Sequence, residues 1–315
     1  MATNHQAPAR AEARRRAATL AATAAFALAL FATAASAAGC ADMLLVAQRG
    51  DADHAENSAS AIEAALQGGW DGVAVDVQQL QSGEWVLNAD PVLGRSTSVN
   101  GRAARDMNAA AWRAVRLRDR AGRLTDEPAA FLDAAVDGAR QHPDKVLAIN
   151  MAQPFTGCPA SQALGAQLAA ALPSGQWFMT ATDRRQLSCA RKLDPHGYLG
   201  LVVLGALPTG RPRNGAVIPT ETVRSVDLNR NWMAALLRDV GPPVGLHVDA
   251  RILQENPRVL QEARELGIPV FSVGFDGVAA HLAALRGGAA AARMRPSGAM
   301  VDGAAAGFCD AVKAR

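Results

Sequence analysis

The run Leu44-Leu45-Val46-Ala47-Gln48-Arg49-Gly50, followed by Ala55-Glu56-Asn57-Ser58, Gly72-Val73-Ala74-Val75-Asp76-Val77 and Asn88-Ala89-Asp90-Pro91, decides how the rest of the chain is read. An apolar stretch ends on a polar turn with glycine, a helix-period segment follows over 59–67, and a second apolar stretch closes on an aspartate. That is the pattern of parallel strands joined by crossover helices.

The alternation continues to the C-terminus. Strands are predicted over 44–48, 72–77, 146–151, 177–180, 198–204, 244–248, 269–273 and 299–301, and helices over 59–67, 128–141, 161–171, 183–193, 231–238, 257–266 and 278–285. Eight strands with seven intervening helices indicate an α/β chain folded as a single-domain (β/α)8 TIM barrel, whose functional sites sit at the C-terminal strand ends. A doubly wound open sheet is the alternative, but no Gly-rich phosphate loop opens any helix. After Asp76 a turn at Gln81-Ser82-Gly83-Glu84 and a short strand over 85–88 lead into 91–126, which is charged and has little apolar periodicity. This small insertion after the second strand, about 81–126, is expected to shape access to the site.

Upstream of the first strand, Arg10, Arg14, Arg15 and Arg16 precede an alanine-rich apolar stretch that ends in Ser36-Ala37-Ala38-Gly39-Cys40. Residues 1–39 read as a signal peptide, which predicts an exported protein of the periplasm or cell envelope, with 40–315 as the barrel domain. The small residues before Cys40 also resemble a lipoprotein signal, so Cys40 is a candidate for lipidation and membrane attachment. Without the leader's four arginines and one glutamate, the 32 basic and 29 acidic residues become 28 and 28. A neutral domain lacks the basic stripe that nucleic-acid binding requires. An oxidising compartment permits disulfides. In a barrel a Cys40–Cys309 bridge is geometrically reasonable, which leaves Cys158 and Cys189 as the other pair, with free buried thiols the alternative and an odd thiol if Cys40 is lipidated.

The opening motifs resemble those of the glycerophosphodiester phosphodiesterase family, relatives of the phosphatidylinositol-specific phospholipases C. That family's first strand ends in H-R-G, followed by P-E-N-T, E-L-D-V, H-D-P and E-x-K; Phe271-Ser272-Val273-Gly274 and Met300-Val301-Asp302 extend the likeness more weakly. The resemblance implies a lipid-metabolism hydrolase with two histidines as general acid and base, acidic residues holding calcium or magnesium, and an arginine on the phosphate.

Here the histidine positions are Gln48 and Ala89, neither of which has a proton to transfer, and that transfer is typically worth about 100- to 10,000-fold in rate. The family's acidic positions on strands two and three are Ala74 and Asn150, and the lysine position is Ala152, so Asp76 alone remains as a weak metal candidate. Arg49, Glu56, Asn57 and Asp90 survive as candidate ligand-binding residues. Arg49 is expected to fork a phosphate or to pair with Glu56 or Asp76, and Glu56 and Asn57 to contact ligand or cap the following helix.

Two histidines could supply replacement acid-base chemistry. His54 follows strand one and His247 lies on the strand over 244–248; each also has an ordinary reading, as a solvated loop residue and a hydrogen-bonded barrel side chain. The five tryptophans are expected to pack the core or rim, with Trp112 able to line an access groove. The expectation is therefore an exported pseudoenzyme that needs no cofactor and binds a phosphorylated or polar small molecule at the barrel mouth. The alternatives are an active phosphoric diester hydrolase using His54, His247 and a divalent cation, and an envelope structural or assembly protein.

Overall fold

Successive strand residues point to opposite faces, so a closed parallel sheet must bury one set of side chains inside itself and the other under its helices. The computed structural model, which describes residues 43–205, 228–274, 278–292, 294–303 and 308, shows this partition. The expected leader, Cys40 and Cys309 lie outside the described residues. Eight parallel strands close into a barrel: β1 (Leu44–Gln48), β2 (Gly72–Gln79), β6 (Val146–Met151), β7 (Trp177–Ala181), β8 (Leu199–Val203), β9 (Val244–Asp249), β10 (Val270–Gly274) and β11 (Gly298–Val301). Strand β1 closes the ring by pairing with both β2 and β11.

Val46, Ala74, Val146, Ala148, Phe178, Tyr198, Phe271, Val273 and Met300 fill the interior. Leu45, Ala47, Val73, Val75, Leu147 and Ile149, the alternate residues, join the helices in a second core. Glycines admit the interior rings. A Cβ on Gly200 would come 2.3 Å from Nε2 of His247, and one on Gly298 would come 2.3 Å from the Phe271 ring. The barrel is thus packed rather than hollow.

Several elements differ from expectation. The helix predicted over 128–141 begins only at Leu132, because Leu124–Pro128 forms strand β5, paired antiparallel with β4 (Arg116–Arg118). Strand β2 runs two residues past Val77 because Gln78 and Gln79 pair with β3 (Trp85–Leu87). A further short helix, Ala250–Glu255, follows β9, with the Asp249 side chain accepting from the Arg251 backbone at 2.9 Å.

The insertion builds its own small core from Leu93, Met107, Trp112, Val115 and Leu117. Trp112 is fully buried and donates to the Ala130 carbonyl at 3.2 Å, so it packs and does not line a groove. Cys158 and Cys189 are joined by a disulfide that links helices Cys158–Ala171 and Arg184–Leu193. No helix among the described residues is long and apolar enough to cross a membrane.

Candidate functional site

Strand β1 delivers its last residues to the barrel mouth through a sharp turn. Arg49 and Gly50 have φ of 63° and 87°, and a Cβ on Gly50 would lie 2.6 Å from the Ala61 side chain, so only glycine fits there. Left-handed backbone is uncommon for arginine and costs on the order of 1–3 kcal/mol. Tertiary hydrogen bonds hold it: Arg49 N donates to Ala74 O at 2.8 Å, and Asn57 N donates to Arg49 O at 2.9 Å. Asn57, also left-handed at 56°, directs its amide back over the mouth.

These turns converge on Asp76, which points inward from β2. Its Oδ2 accepts from Arg49 Nε at 2.8 Å and from Asn57 Nδ2 at 3.2 Å; its Oδ1 accepts from Asn150 Nδ2 at 2.6 Å. Thr180 donates to Asn150 Oδ1 at 3.3 Å and orients that amide. Arg49 also donates through Nη1 to Glu56 at 3.2 Å. Glu56 receives a second guanidinium, that of Arg95, whose Nε pairs with Asp90 at 2.8 Å. Asp76, Arg49, Glu56, Arg95 and Asp90 thus form a continuous ladder of alternating charge.

The ladder sets the protonation states. Burial alone would push Glu56 upward, but Arg49 and Arg95 outweigh it and hold the carboxyl at about 2. Burial would lower Arg49, but Asp76, Glu56 and Asp90 raise it above its ordinary value, so it stays charged. Burial raises Asp90 despite its contact with Arg95.

Of the expected ligand-binding residues, Arg49, Glu56, Asn57 and Asp90 are brought together with Asp76, and Arg49 pairs with both carboxylates between which the sequence left the choice open. Glu56 and Asn57 do not cap the following helix. Ser58 does, its hydroxyl accepting from Ala61 N at 3.0 Å. Gln48 is buried with its side-chain oxygen unpartnered, and Ala89 is buried too. His54 is exposed on its loop. His247 is wholly enclosed in the barrel, bonded to the Tyr198 hydroxyl at 3.0 Å and stacked on Phe271 at 4.6 Å. Burial lowers its pKa to about 3. One histidine faces solvent and the other faces rings.

A divalent cation does not fit the residues present. Both oxygens of Asp76 already accept from N–H donors, and the neighbouring positions Ala74 and Asn150 offer a methyl group and an amide whose nitrogen points at the carboxylate. Hard cations require several oxygen ligands, and charge neutralisation here falls to Arg49 instead.

Above the ladder lies a cleft of about 630 Å³ lined by Arg49, Glu56, Arg95, Arg118, Asp119, Arg120 and Asp302, together with Ala121 and Gly122 of the β4–β5 turn. Arg120 reaches across the mouth to pair with Asp302 beyond β11, so the insertion spans the barrel end. Arg95, Arg118 and Arg120 were not singled out in the sequence. One signal was there: residues 91–126 carry eight arginines against three aspartates.

The chain is a (β/α)8 barrel with a cluster of charged groups at the C-terminal ends of its strands. Residues 49–164 match the model of the glycerophosphoryl diester phosphodiesterase family. Solved structures share the fold. A phosphodiesterase from Oleispira antarctica, solved with the product sn-glycerol-3-phosphate, is 17% identical over 86% of this chain and 97% of its own, with a TM-score of 0.63. A glycerophosphoryl diester phosphodiesterase from Parabacteroides distasonis is 15% identical over 86% and 87%, also at 0.63. The Thermotoga maritima glycerophosphodiester phosphodiesterase is 17% identical over 87% and 98%, at 0.56. No curated protein sequence matches the chain significantly.

Proposed function

We propose that this barrel binds a phosphorylated or polar small molecule at its mouth and does not hydrolyse it by the family's acid-base route. The observation that carries this reading is the state of the reacting centre. Gln48 and Ala89 stand at the proton-transfer positions, and Asp76 is saturated by Arg49, Asn57 and Asn150. A charged cleft of ligand size sits above it. The relative solved with sn-glycerol-3-phosphate makes that compound the natural first probe. Export to the periplasm or envelope, with Cys40 as a lipid anchor, belongs to the same reading; the Cys158–Cys189 disulfide supports an oxidising compartment.

The test combines titration calorimetry against sn-glycerol-3-phosphate with a hydrolysis assay on glycerophosphodiesters, with and without calcium or magnesium. Binding without turnover is expected. Turnover that disappears in Arg49→Ala would refute the reading.

A further inference from the structure

Four guanidinium groups line the cleft, and three are held by carboxylates. Arg49 pairs with Asp76 and Glu56, Arg95 with Glu56 and Asp90, and Arg120 with Asp302. Arg118 is placed differently. Its Nε donates to Thr97 O at 3.0 Å and its Nη1 to Gly122 O at 3.1 Å; among the described residues no carboxylate lies within ion-pair distance of it. Two neutral carbonyls fix the plane of the fork and leave its charge uncompensated, which suits recognition of an oxyanion. The backbone is fixed as well, with Arg118 N donating to Ser96 O at 2.8 Å.

We infer that Arg118, carried by the insertion, is the anion-binding residue of this mouth and takes a phosphoryl oxyanion in place of Arg49; the inference rests on the binding function proposed above. The choice follows from what each arginine would give up. Turning Arg49 toward a ligand would strip the buried Asp76 of its counter-ion and leave Glu56 with Arg95 alone, whereas Arg118 breaks no ion pair when it binds. Of the insertion's eight arginines, Arg95, Arg118 and Arg120 line this opening, the first and last already paired with carboxylates. A phosphoryl group reaches such a cleft either on a free phosphate ester or on a lipid head group.

Calorimetric titration with inorganic phosphate and sn-glycerol-3-phosphate, alongside co-sedimentation with phosphatidylglycerol and phosphatidylcholine vesicles, tests both sources. Wild-type protein is expected to bind in at least one arm, and Arg118→Gln, which keeps N–H donors for the two carbonyls, to bind roughly tenfold or more weakly with an unchanged unfolding midpoint. Binding to the soluble compounds supports the assignment with a free ester as ligand; binding only to phosphatidylglycerol vesicles supports it with a head group. If Arg118→Gln fails to fold, Arg118→Lys carries the test, with weaker binding than wild type expected because the bidentate fork is gone. Equal affinity in wild type and the folded variant overturns the role of Arg118 but leaves the binding function standing. No binding by wild type in any arm overturns both.

Discussion

Arg49 donates from Nε to Asp76 at 2.8 Å, joining the turn after the first strand of the barrel to the second. Through this contact and its bond to Glu56, one guanidinium pairs with two largely buried carboxylates, Arg95 completing the charge on Glu56. Arg49→Ala removes the shared partner and leaves both acids enclosed. It is expected to cost about 3–5 kcal/mol in urea unfolding, with Arg49→Lys intermediate because an ammonium cannot bridge the two with a planar fork. An Arg49→Ala variant as stable as wild type would remove the ladder from any account of stability.

The same arrangement predicts indifference to divalent cations. Calcium or magnesium added to chelator-treated protein should not raise the unfolding midpoint, because a ligand stabilises only the state that binds it. A midpoint that climbs and saturates with metal concentration would show that Asp76 gives up its N–H donors to a cation.

Glu56 makes the fold acid-labile in a defined window. Its carboxyl falls from an ordinary 4.5 to about 2 in the folded chain, so its stabilisation is fully present above pH 4.5 and is lost as the pH drops through that interval. The difference converts to roughly 3 kcal/mol. Glu56→Gln should be less stable at pH 7 and show a shallower decline between pH 4.5 and 2 in denaturant unfolding; an unchanged slope would contradict the assignment.

His247 should stay neutral throughout the physiological range. Its pKa drops from 6.5 to about 3, so the unfolded chain takes up the proton first and stability falls as the pH drops below 6.5. Ring signals of His247 in NMR spectra should not move between pH 8 and 5. A titration centred near 6 would place the ring in contact with water and revive it as an acid-base candidate.

Cys158 and Cys189 are 31 residues apart in sequence. In the chain-entropy picture, closing a loop of that length contributes about 3–4 kcal/mol. The double variant Cys158→Ser, Cys189→Ser should unfold at correspondingly lower denaturant, and wild type under reducing conditions should follow it.

The strands were legible because a packed barrel writes period-2 burial into every one of them. Val46 and Ala74 face inward while Leu45 and Val73 face the helices, and only one register satisfies both. That Gln48 and Ala89 stand where the resembled family has histidines was equally legible, since residue identity needs no fold. The insertion was legible as a segment, but its internal structure was not. Its core draws Leu93, Met107, Trp112 and Leu117 from several short elements, a pattern with no single period. Arg95, Arg118 and Arg120 become site residues only when that segment folds back over the mouth, and one-dimensional spacing does not encode the return. The cap of the first helix was misplaced because Asn57 serves Asp76 and leaves Ser58 to the helix.

The rings of Phe178, Tyr198, His247 and Phe271 form a solid floor one layer beneath the charged mouth. The enclosed rings and the aliphatic cores carry the apolar burial that holds the barrel closed, and the charged rim adds its ion pairs on top of that burial. A rim side chain outside the charge ladder, such as that of Ala89, can therefore differ without the barrel having to be rebuilt.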